Sequence, residues 1–194
     1  MKYLLFSTRV ILILLSVTTG VIQQAHSQNF VAGIQYTIDK QYFVRQSDDL
    51  HTPTGESNKA GLILEFTPYY SKFFIASGAH YMMNDLGNSI MVPLTFRLAL
   101  GKKIRPFAET GGYYNHVLED ISEDFSLKND VGVLSEIGVI FSLSKHWRLE
   151  AGYNYILGLT PALEEEILLP LNQVSLEHYR RNERGFAFRA KFTF

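Results

Sequence analysis

Hydrophobic and polar residues alternate one by one along most of this chain, most plainly in its last ten positions. In Gly185-Phe186-Ala187-Phe188-Arg189-Ala190-Lys191-Phe192-Thr193-Phe194, one face of an extended strand collects Phe186, Phe188, Ala190, Phe192 and Phe194. The other collects Ala187, Arg189, Lys191 and Thr193, because successive strand side chains point to opposite faces. A soluble domain is poorly served by an aromatic face at a terminus, where chains fray. The closing strand of a membrane β-barrel has a use for it: aromatic residues turn to lipid and charges turn inward.

The same period divides the chain into eight strands, over about 29–44, 60–67, 72–82, 89–99, 105–116, 131–142, 147–157 and 185–194. Links two, four and six are tight, at 68–71, 101–103 and 144–146. Links one, five and seven, over 45–59, 118–130 and 158–184, are long and rich in turn-forming or polar residues. Only link three, Asn84-Asp85-Leu86-Gly87-Asn88, departs from this alternation. Membrane barrels have short turns on the periplasmic side and longer loops outside. The expected fold is therefore all-β: an eight-stranded antiparallel transmembrane up-and-down barrel with both termini periplasmic. No continuous apolar stretch after the first 27 residues is long enough for a spanning helix, and a closed barrel is the other structure that satisfies its backbone inside a bilayer.

The inward faces then carry Asp39, Glu65, Glu109, Glu136 and Glu150 against Arg97, Arg148, Arg189 and Lys191. An eight-stranded barrel is just wide enough for side chains to fill it. Charges enclosed there are costly unless paired, so these nine residues are expected to form an interior charge network that plugs the lumen.

Composition adds the compartment. Lys2 and Arg9, an apolar run over 10–22 and Ala25-His26-Ser27 read as a secretory signal peptide, 1–27, cleaved before Gln28. The barrel domain is then 28–194. The formal charge of the chain is −1; the leader holds two cations and no acid, which leaves −3 for the domain and no basic face for nucleic acid. Charged residues make up 19% and aromatics 13%, sparser in charge than the roughly 25% of soluble domains.

Several strand motifs also resemble the small outer-membrane β-barrel proteins of Bacteroidetes, the PorT-like group. They are Val92-Pro93-Leu94, Arg105-Pro106-Phe107 through Gly111-Gly112, Leu149-Glu150-Ala151-Gly152-Tyr153-Asn154-Tyr155 with Gly158-Leu159, and the aromatic C terminus. The resemblance covers essentially 28–194. It implies outer-membrane lipid and lipopolysaccharide as surroundings, and Phe192 and Phe194 as an assembly signal for the barrel-assembly machinery. It implies no catalytic residue and no cofactor.

Candidate chemistry is thin. Asp120-Ile121-Ser122-Glu123-Asp124 has the alternating oxygens of a calcium loop, but Phe125 stands where the loop needs glycine. His116 near Glu119 and Ser122 offers parts of a lipid-modifying site without a spacing that sets a nucleophile beside a base. The segment Pro161-Ala162-Leu163-Glu164-Glu165-Glu166-Ile167-Leu168-Leu169-Pro170 reads as a hairpin extension or as a docking element for a protein or glycan ligand. The expected function is structural or surface-binding, through the outer loops, without catalysis. A lipid-modifying enzyme and a narrow channel or transporter are the alternatives.

Overall fold

The computed structural model describes residues 30–46, 51–67, 72–84, 86–120, 125–169 and 173–194. The leader over 1–27 and its cleavage point lie outside the described residues. The described residues form nine strands: β1 (Phe30–Arg45), β2 (His51–Phe66), β3 (Phe73–Asn84), β4 (Gly87–Ala99), β5 (Ile104–Asp120), β6 (Phe125–Leu127), β7 (Asp130–Ser142), β8 (Trp147–Leu169) and β9 (Gln173–Thr193). All but β6 form an up-and-down antiparallel barrel, each paired with its neighbours, and β1 meets β9 to close the ring. Closure leaves no unpaired edge within the wall.

Exposed and buried positions alternate along the wall strands, most regularly in Val92 to Leu98 of β4, where Pro93, Thr95 and Arg97 turn inward. The outward face is predominantly apolar. Ile34, Leu62, Phe96 and Ile137 are each about 60% exposed or more, an arrangement that water would penalise and lipid rewards. Among the described residues no helix is long and apolar enough to cross a membrane. The fold is a transmembrane barrel that crosses with strands.

The long links are where the structure departs from the sequence reading. β2 begins at His51, so Ser57 and Lys59 belong to a strand and not to a loop. β8 and β9 run to Leu169 and from Gln173 and pair along that length, so most of the supposed connection over 158–184 belongs to strands. These two strands have 23 and 21 residues, about twice the 9–11 needed to cross a bilayer. Within 118–130, β5 continues to Asp120 and β6 adds a third strand to the projecting part of β8. The residues that suggested loops are accommodated as irregularities. Register shifts flank Pro161, which has no N–H to give the ladder, and another lies between Gln41 and Tyr42, opposite Pro53 and Gly55. Gly55 has φ +118°, a value that side chains disfavour.

Candidate functional site

The lumen holds two charge clusters. At the terminal end, where β1 begins and β9 finishes, Arg97 is the centre. Its Nε lies 2.7 Å from Glu109 Oε2, and its Nη1 lies 2.8 Å from Glu150 Oε2 and 3.1 Å from Glu65 Oε2. Lys191 Nζ bridges Glu65 at 2.6 Å and Glu150 at 3.0 Å. Arg148 reaches Glu65 from the mouth at 3.3 Å. Arg189 binds Glu136 through two parallel bonds of 2.5 Å, and its Nε donates to Gln35 at 2.6 Å. Forked pairing of this kind is among the strongest polar contacts in proteins. Eight of the nine proposed interior residues meet in this cluster; Asp39 does not.

Asp39 sits in the second cluster, nearer the hairpin end, where Lys59 bonds both Asp39 and Glu183. Arg181 continues the chain of contacts, 3.4 Å from Glu183 and 3.0 Å from Asp130. Tyr113 and Asn115 donate to Asp130 at 2.8 and 3.0 Å. Lys59, Asp130, Arg181 and Glu183 had been assigned to loops, so their facing was missed. Their signal was parity: Arg181 and Glu183 lie four and two residues before Gly185 and share the inward face of Arg189.

Among the described residues seven carboxylates are buried with five cations, and the half-buried Arg148 adds a sixth cation through Glu65. Space for these long side chains comes from inward glycines. A Cβ on Gly152 would stand 2.1 Å from Glu136 Oε1, and one on Gly185 2.3 Å from Asp39 Oδ1.

Apolar clusters fill the rest. One of them packs near the terminal end of the barrel.

 This terminal-end cluster is thus Phe74, Ala99, Phe107 and Ile140, all of them inward-facing. Met91, Tyr113, Leu134 and Ile156 pack at mid-height. Phe43, Ala162, Leu163 and Tyr179, with Leu86 and Leu127 against them, close the hairpin end. The Tyr179 hydroxyl donates to Glu165 Oε2 at 2.6 Å. The enclosed spaces lined by Arg181 and by His80 are about 10 Å³ each, close to the volume of a single probe sphere. His80 is buried, with no hydrogen-bond partner for either ring nitrogen among the described residues.

The other candidate sites are dispersed. His116 Nδ1 lies 3.1 Å from Asn129 Oδ1, and Glu119 accepts from Asn88 Nδ2 at 2.8 Å; Ser122 lies outside the described residues. Asp120 Oδ2 accepts from the backbone N–H of Leu127 at 2.9 Å, and the rest of the calcium-like stretch, 121–124, lies outside the described residues. Among the described residues no three metal-ligating side chains gather. Phe192 packs edge-on to Trp147 and Phe194, with ring centroids 5.2 and 5.4 Å apart.

A closed wall with a lipid-compatible exterior and a filled, charge-paired interior defines the class: a small transmembrane β-barrel. Solved structures agree on the fold. The N-terminal β-barrel domain of Pseudomonas aeruginosa OprF superposes with a TM-score of 0.56 at 13% identity, over 86% of this chain and 98% of that one. The outer membrane protein OprG of the same organism gives 0.52 at 14%, over 84% and 95%. Neisserial surface protein A gives 0.52 at 12%, over 84% and 96%. No family model and no curated protein matches the sequence.

Proposed function

We propose that this protein is a bacterial outer-membrane barrel, of the PorT-like kind its strand motifs resemble, with both termini periplasmic and a structural and surface-binding role. The observation that carries the reading is the contrast between a filled lumen and a long projection. The wall is occupied on one face by lipid and on the other by internal pairing. The β6–β8–β9 projection is the part with freedom to bind, as surface connections generally are. It exposes Glu166 and Leu176 and half-exposes Glu164 and His178, a mixed polar and apolar surface suited to a protein or glycan. Lipid and lipopolysaccharide surround the wall, and the Phe192–Phe194 end serves the barrel-assembly machinery.

Only the upper part of the hairpin is free to be removed. Leu163 and Tyr179 belong to the cap and Arg181 to the lumen, so an excision over 161–182 would strip both. Replacing 165–177 with a short Gly-Asn turn spares them. The expected result is a folded barrel, read as heat-modifiable gel migration, on cells that have lost adhesion to a panel of host-type proteins and glycans. Retained adhesion would move the binding role elsewhere, and lost folding would make the projection structural.

A further inference from the structure

Exposed cations on the outward faces of the described strands are confined to one seam. They are Lys40 on β1 and Arg180 and Arg184 on β9, the two strands that close the barrel. Lys72, Lys102, Lys103 and Lys145, also exposed, lie in the connections at the terminal end. Lys40 and Arg184 are register partners, so their side chains leave the same face side by side. Neither has a carboxylate ion-pair partner among the described residues; exposed Glu56 stands opposite Lys40 on β2. Arg184 lies over the Tyr42 ring, 5.0 Å from its centroid, and donates to the Tyr42 hydroxyl at 3.0 Å. Tyr42, Tyr155, Asn182 and Arg184 line an open groove of about 280 Å³.

Directly below, the same seam turns apolar. Phe186 and Phe188 follow Arg184 on the outward face of β9, paired with Ile38 and Tyr36 of β1. A second groove of about 850 Å³ then opens, walled by Ile34, Leu62, Leu149 and Phe188 and floored by Ala151 and Ala190. From Arg184 to Ala190 is six residues, about 20 Å along the strand, which is the length scale of an acyl chain. We propose that the β1–β9 seam binds one phosphorylated lipid, its phosphate on Lys40 and Arg184 and an acyl chain in the groove below. Charge selects the headgroup: two adjacent cations, with the Tyr42 hydroxyl beside Arg184, match phosphate oxygens. The small residues at Ala151 and Ala190 leave the depression that a chain fills.

This site rests on the membrane reading above but not on the role of the projection. The full-length barrel in detergent is titrated with diphosphoryl lipid A and bound adducts are followed by native mass spectrometry. A saturable single adduct is expected, weakened about tenfold in Lys40→Gln/Arg184→Gln because charge-assisted bonds to phosphate are lost. The Lys40→Arg/Arg184→Lys variant should retain it, Ala190→Phe should weaken it by filling the groove, and fully dephosphorylated lipid A should bind the wild type no better than the double Gln variant. Equal affinity of wild type and double variant overturns the proposal, as does equal binding of the dephosphorylated lipid. Displacement by millimolar inorganic phosphate alone would assign the cations to free phosphate and overturn the lipid assignment. If the double variant loses heat-modifiable migration, Lys40→Gln and Arg184→Gln are titrated singly, and unchanged affinity in both overturns it. Cell adhesion plays no part in this readout, so failure of the surface-binding role leaves the result distinguishable.

Discussion

Arg97 shows what a single interior residue controls. It is fully enclosed and contacts Glu65, Glu109 and Glu150, so its removal leaves three carboxylates short of a counter-charge. Arg97→Ala should cost about 3–5 kcal/mol, the usual penalty for breaking a buried pair from one side, read as urea unfolding in lipid vesicles. Arg97→Lys should recover part of the loss, because an ammonium replaces the charge but not the fork that meets Glu109 and Glu150. Gly152 acts through space rather than charge. Gly152→Ala drives a methyl against Glu136 and should cost about 1–3 kcal/mol by overpacking, with Glu136 and Arg189 displaced from their forked contact.

At the scale of elements, each wall strand has two unlike faces, and a substitution is judged by the one it falls on. Ile137 is 66% exposed on β7. Ile137→Arg should destabilise the barrel by about 2–4 kcal/mol if it lies near the midplane of the bilayer. Leu176→Arg is also an exposed apolar change, but it lies on the projection beyond the wall and should stay within about 0.5 kcal/mol. Equal costs at the two sites would mean that lipid does not cover β7. The cap joins wall to projection: Leu163→Ala should cost about 2–5 kcal/mol, as Leu→Ala changes in packed cores do.

For the whole molecule the decisive property is how the described residues fill its interior. Two ion clusters and three apolar clusters occupy the lumen, and the enclosed spaces beside Arg181 and His80 are near the size of one water. Planar-bilayer recordings of the purified protein should therefore show no steady ion current. A large, reproducible conductance altered by Glu136→Ala or Arg97→Ala would reject the plugged lumen and favour the channel alternative.

Period-2 alternation determined the eight wall strands and the outward or inward facing of residues such as Phe186, Ile137, Arg97 and Glu136, and the tight and long links between them determined the up-and-down topology; the short β6 escaped both. That follows because side-chain direction in a strand is local: it depends on parity and not on the partner. Strand length was not legible. Pro53, Gly55 and Pro161 look like loop residues in isolation, and only pairing with a neighbouring strand absorbs them as bulges. The interior was legible for residues inside the eight alternating segments and missed for Lys59, Asp130, Arg181 and Glu183, whose strands were read as ending too soon. Which charge meets which was beyond the sequence altogether. Arg97 and Glu150 are 53 residues apart, and their contact exists because barrel closure and register bring two distant strands to the same height across a narrow lumen.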